Sequence, residues 1–161
     1  MRKIVLSMVL LGFTGWLYAG GAAEKVMVSD AYVRAVPPGQ PNSASFMVLS
    51  NHSAEDLVLV GAESDVAKAV ELHSHTMKDG MMRMRQVEKI DLPAGETVQL
   101  QPGGLHVMVI GLQQKLVPGE KIDMALVFSD GSKLDLKVPV VKLQMTMQKP
   151  AMKHDMQHKM H

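Results

Sequence analysis

The chain has 161 residues, a net charge of +1 with histidine neutral, 47% hydrophobic residues and 4% aromatic ones. The near balance of 17 basic and 16 acidic residues excludes a basic nucleic-acid footprint, and the length fits one domain with additional sequence at its ends. The absence of cysteine excludes disulfides, thiolate metal sites, iron–sulfur clusters and blue-copper centres, while 15 methionines and seven histidines leave a surplus of soft and borderline metal donors.

Met1-Arg2-Lys3 is a short cationic start, followed by an uncharged apolar run from Ile4 to Ala19 and then by Gly20-Gly21-Ala22-Ala23. That order predicts a secretory leader over residues 1–23, cleaved after the Gly21-x-Ala23 motif, with Ala19 as the alternative site. The run is short for a spanning helix and no cysteine follows it, so neither a membrane anchor nor a lipid anchor is expected. The mature chain would then begin near Glu24 and lie in the periplasm or outside the cell.

Residues 24–141 read as short strands separated by turns. Aliphatic and β-branched runs occupy Val26–Val36, Ala44–Ser50, Leu57–Val60, Ala69–His75, Met82–Ile90, Thr97–Gln101, Leu105–Ile110, Ile122–Phe128 and Lys133–Val141. Between them lie turn sequences such as Pro37-Pro38-Gly39, Lys78-Asp79-Gly80, Pro93-Ala94-Gly95 and Pro102-Gly103-Gly104. This spacing predicts an all-β Greek-key sandwich or barrel, with one short helical turn at Ser64–Ala69. From residue 142 to 161 the core pattern stops, and a disordered tail is expected.

Strand parity sorts the donors. In Leu105-His106-Val107-Met108-Val109 the three aliphatic residues take the core face, leaving His106 and Met108 on the other. In Val70-Glu71-Leu72-His73-Ser74-His75, Glu71, His73 and His75 lie opposite Val70 and Leu72, and Met82 and Met84 share a face in Met82-Arg83-Met84-Arg85. A site built from these residues is expected to be shallow and reachable from solvent. Met27, Met47 and Met124 read as core filler and His52 as a surface residue; Asn51-x-Ser53 matches a glycosylation sequon without functional weight. His75, Met77, Met81 and Met82 read equally as rim filling or as a relay beside the site.

Neutral thioether and imidazole donors suit Cu(I). Zinc sites favour thiolate, imidazole and carboxylate, and calcium and magnesium require oxygen. Outside the cytosol, where thiols oxidise, methionine is a coherent substitute for cysteine.

The pattern His73-x10-Met84-x21-His106-x-Met108 resembles the signature of periplasmic copper chaperones of the PCu(A)C type. The resemblance extends through Asp30-Ala31-Tyr32-Val33-Arg34, Ser45-Phe46-Met47, Val70-Glu71-Leu72-His73, Leu92-Pro93-Ala94-Gly95 and Pro102-Gly103-Gly104-Leu105-His106, and covers Val26 to Val141; members often carry Trp at the position of Tyr32. It implies a cupredoxin-like β-sandwich that binds one Cu(I) through His73, Met84, His106 and Met108. It also implies delivery of copper to the binuclear copper A centre of cytochrome c oxidase, on subunit II, alongside a thiol-bearing copper chaperone. A monomer with no nucleic-acid partner is expected.

The tail adds Met145, Met147, Met152, His154, Met156, His158, Met160 and His161, a second donor cluster expected to bind Cu(II) or a second Cu(I) as a capture arm. The alternatives are a copper buffer for resistance with the same ligands, an exported copper enzyme, and a plain β-sandwich adhesion or carbohydrate-binding module. No arrangement of acid, base and nucleophile stands out, so catalysis is not expected.

Overall fold

The structure is a computed structural model and describes residues 20–142 apart from residue 79. The expected tail donors from Met145 to His161 and most of the expected leader lie outside the described residues.

A four-residue helix, α1 (Ala22–Lys25), leads into β1 (Val26–Arg34), β2 (Asn42–Asn51), β3 (Leu57–Glu63), β4 (Ala67–Lys78) and β5 (Met81–Gln86). The remaining strands are β6 (Ile90–Leu92), β7 (Thr97–Leu100), β8 (His106–Leu112), β9 (Lys121–Phe128) and β10 (Lys133–Val141). One layer runs β5-β4-β8-β2-β1, with β7 beside the second half of β2; the other runs β10-β9-β3-β6. They are joined by parallel pairing of β1 and β10 at Val33↔Val140 and Arg34↔Val141, all other pairings being antiparallel. Val33, Leu49, Leu59, Leu92, Val107, Val109, Leu126, Phe128 and Val138 fill the core. The all-β expectation is therefore met.

Four expectations about local structure are corrected. Residues Ser64–Ala69 form a turn at Asp65-Val66 followed by strand from Ala67, not a helical turn. The expected strand Met82–Ile90 is divided into β5 and β6, the β4–β5 ladder closing with the Val87 N–H donated to the Leu72 carbonyl before the chain passes to β6, which pairs with β3 instead. Met47 and Met124 are buried as expected, but Met27 is 55% exposed, since it sits on the side of β1 opposite buried Val26. The fourth is the expected strand Val26–Val36, which ends at Arg34 and carries a bulge. Its register to β2 shifts between Ser29 and Tyr32, and Asp30 takes the left-handed conformation at φ 52. The extra residue reverses parity: Val26 and Val33, of opposite parity, both face the core. Tyr32 and Arg34 consequently turn to the other face.

The folded unit starts earlier than Glu24. Ala22 and Ala23 are buried, and their N–H groups donate to Asp130 Oδ2 at 2.7 Å and Ser132 Oγ at 3.0 Å. His52 is exposed, as expected. Asn51, by contrast, is a structural bracket. Its Nδ2 donates to the carbonyls of Glu55, Leu92 and Pro93 at 2.8, 2.9 and 3.2 Å, and its Oδ1 accepts from Ser53 N and Oγ.

Two stability outcomes follow. Asn51→Ala removes the side-chain donor to these carbonyls, with Ser53 Oγ still donating to that of Glu55, and is expected to lower unfolding stability by about 2–4 kcal/mol, read from the urea midpoint. A chain begun at Glu24 loses the Ala22 and Ala23 contacts and should be less stable than one begun at Gly20 by about 1–2 kcal/mol in the same assay.

Candidate metal centre

Three strands at one edge of the first layer, β5, β4 and β8, bring the donors together. Residues paired across an antiparallel ladder project from the same face. The β4–β8 register pairs Glu71 with Met108 and His73 with His106. The β4–β5 register pairs His73 with Gln86, His75 with Met84 and Met77 with Met82. His73, Met84, His106 and Met108 therefore share one face, although Met84 stands directly opposite His75 and only diagonally from His73.

The imidazoles are closely grouped, with ring centroids 5.9 Å apart for His73 and His106 and 5.0 Å for the stacked pair His75 and His106. Each expected histidine ligand has one nitrogen committed. His106 Nδ1 lies 3.0 Å from the Gly104 carbonyl, which can only accept, so Nδ1 carries the proton and Nε2 keeps its lone pair. The same carbonyl accepts the His75 N–H at 3.3 Å. Gly104 reaches this position because Gly103, at φ 83, completes the turn after Pro102. His73 Nε2 donates to Glu71 Oε2 at 2.8 Å, which in the neutral ring leaves Nδ1 bare. His73 Nδ1, His75 Nδ1 and His106 Nε2 are all buried without a hydrogen-bond partner. Buried polar atoms are seldom left so, and three on one face mark a place for an electrophile.

The expectation of a shallow site reachable from solvent is corrected on the β8 side. His106 is 1% exposed. The bulge of β1 is the reason: Tyr32 meets Phe46 at 5.3 Å between centroids, Phe46 meets His106 at 6.1 Å, and the Arg34 guanidinium lies 4.6 Å from the centre of the Phe46 ring. These residues form a floor over the face that parity alone leaves open. Met84, at 46% exposed, keeps the outer side accessible. The site is sunk on the β8 side and open on the β5 side.

Burial pushes the His106 imidazole below its ordinary value. The bond to Gly104 opposes that shift, and the charges of His75, His73 and Arg34 reinforce it. Its neutral form, the one that binds metal, is thereby favoured. Among the described residues no group of three or more His, Asp or Glu side chains is placed to hold a metal ion. A groove between Pro37–Pro41 and Leu112–Pro118 contains none of these donors.

His75 and the Tyr32–Phe46–Arg34 floor are the parts of this arrangement to which sequence reasoning gave no definite role. Counting rungs from the Val70↔Val109 and Leu72↔Val107 core pairs finds His75 once β4 and β8 are known to be neighbours. No sequence signal marked the bulge, where a non-glycine residue holds a positive φ.

Residues 26–140 match the family described as "Putative lipoprotein LpqE-like". A protein of Leifsonia xyli subsp. xyli, "Putative lipoprotein Lxx21020", is 36% identical over 149 residues, covering 87% of this chain and 89% of its own. Apo-DR1885 from Deinococcus radiodurans superposes with a TM-score of 0.60 at 33% identity over 89% of this chain and 96% of that one. The copper-bound PCuAC domain from PmoF2 superposes at 0.64 with 22% identity, over 74% and 94% of the two chains. The sandwich is thus the cupredoxin-like fold of PCuAC domains, as the sequence led us to expect. By its match along nearly the whole β domain, the chain belongs to the LpqE-like family.

Proposed function

We propose that this protein is an exported copper chaperone, without catalytic activity, that carries Cu(I) at a site formed by His73, Met84, His106 and Met108. The observation that carries the reading is the pair of adjacent imidazoles, His73 and His106. Each has one nitrogen tied to the protein and a bare, buried lone pair on a face shared with two thioethers. Fixing the far nitrogen by a carboxylate or a carbonyl orients a ring for metal, and neutral sulfur donors favour the monovalent ion. Solution structures of a relative, DR1885, exist in the apo and the CuI forms; the latter is 36% identical over 69% of this chain.

Cu(I) is cargo here, and its hand-over sets the design. His106 and Met108 form the inner wall, while exposed Met84 leaves one side open for a partner's ligand to join before the protein's own ligands leave. Such stepwise exchange never bares the ion. The copper A centre of cytochrome c oxidase subunit II is the acceptor we infer, with a thiol-bearing chaperone assisting, because this chain has no cysteine to reduce a disulfide there. We infer a periplasmic location. No helix among the described residues is long and apolar enough to cross a membrane. The tail donors from Met145 to His161 are proposed as an auxiliary copper-capturing arm.

A Cu(I) titration against a competing chelator under reducing conditions tests the site. His106→Ala is expected to weaken binding by more than about 100-fold, beyond the range of an outer-shell change, and Glu71→Gln by about 10-fold through loss of the His73 bond. Unchanged affinity in His106→Ala would refute the assignment. Deleting residues 142–161 should lower copper stoichiometry without weakening the four-ligand site. Transfer rates should rise with acceptor concentration; a rate independent of it would exclude associative exchange.

A further inference from the structure

The donor face does not stop at His73 and His106. Toward the β4–β5 turn the ladder continues through His75↔Met84 to Met77↔Met82. Because side chains on one face recur every second residue, Glu71/Met108, His73/His106, His75/Met84 and Met77/Met82 form four successive rungs, spaced about 6.7 Å apart along the strands. Every rung holds at least one soft or borderline metal donor.

The outermost rung has no packing role. Met77 is 67% exposed and Met82 60%, on a strand whose six residues are all exposed. Neither side chain belongs to the hydrophobic core or to the residues packed against it. Their Cβ atoms face each other at about 5 Å, a separation that two flexible thioethers can close around one ion. His75, one rung inward, contributes the third donor: its Nδ1 is buried and unpartnered, and its ring stacks on His106 at 5.0 Å.

From this geometry we infer a second, outer Cu(I) position formed by Met77, Met82 and His75. It receives the ion at the exposed hairpin and passes it inward across Met84. The inference rests on the copper reading above, and it adds a place for the ion that the four-ligand set does not include. The ion moves by ligand substitution alone: it remains Cu(I), no electron is exchanged, and each incoming donor replaces one outgoing donor. His75 fits the step because it belongs to the outer group by rung and touches the inner group by stacking. Met84, directly opposite His75, is the thioether both positions share.

The test uses the exported chain with its tail, labelled at the methionine methyl carbons, and titrated with Ag(I) as a redox-inert monovalent probe in chloride-free buffer. The Met84 and Met108 signals are expected to shift first, and the Met77 and Met82 signals to shift together as more Ag(I) is added. In Met77→Leu, a change of similar volume at an exposed position, the Met82 shift should be lost while Met84 and Met108 respond as before. Met77 and Met82 signals unmoved after Met84 and Met108 saturate would overturn the outer position alone. So would a Met82 shift that persists in Met77→Leu. Failure of Met84 and Met108 to respond would instead strike down the four-ligand site, and the outer position with it.

Discussion

The antiparallel register between β4 and β8 is the constraint on which the donor face depends. It is set from the opposite side of the sheet, by Leu72 against Val107 and Val70 against Val109. Leu72, Val107 and Val109 are buried to within 3% of their surface, and each contributes about 1.5–3 kcal/mol by leaving water. A slip of β8 by one residue would turn Val107 and Val109 outward and carry His106 into the core. The metal face is therefore enforced by apolar residues that never touch it. Donors added to that face cost the fold little, because the side that fixes register is not the side that binds.

Within that frame the Gly104 carbonyl settles the chemistry of His106. A buried imidazole avoids charge, and the carbonyl adds a choice of tautomer, so the ring offers Nε2 to the face. Glu71 does the same for His73 from two residues away on the same strand. The two devices differ: a main-chain carbonyl from a turn on the buried side, a carboxylate on the half-open side. Their common result is that each ring is held by one nitrogen and free at the other. Phe46 and Tyr32 then close the floor, keeping the lone pairs from water that would otherwise satisfy them.

Much of this was legible in the sequence. The alternation in Leu105–Val109 and Val70–His75 placed both histidines opposite the core, and the structure agrees. The same parity, applied strictly, would have placed Met27 outside, since it follows buried Val26; treating it as filler ignored the period. The degree of burial of His106 was beyond reach, because it depends on the bulge at Asp30. One inserted residue turns Tyr32 and Arg34 toward the donor face, and no glycine announces it. The partner of Met84 was hidden for a related reason. Spacing along the chain counts residues, whereas the ladder counts rungs, and ten intervening residues place Met84 opposite His75 rather than His73.

That offset bears on how an ion can both stay and leave. If Met84 stood directly across from His73, the imidazoles and thioethers would form one compact group, and release would require several bonds to loosen together. Displaced by one rung, Met84 lies between an inner pair of imidazoles, buried at His106 and half-buried at His73, and an exposed outer pair of thioethers, 60% and 67% open to solvent. A gradient of exposure along one face, from buried His106 through half-exposed Met84 to Met77 and Met82, lets donors be exchanged one at a time. In the proposed copper site, retention comes from the sunken end, where nitrogen is desolvated and oriented, and accessibility from the hairpin end, where sulfur is soft and weakly constrained. The strand pleat alone produces this order, because every second residue of β4 and β5 returns to the same face, one step further from the core.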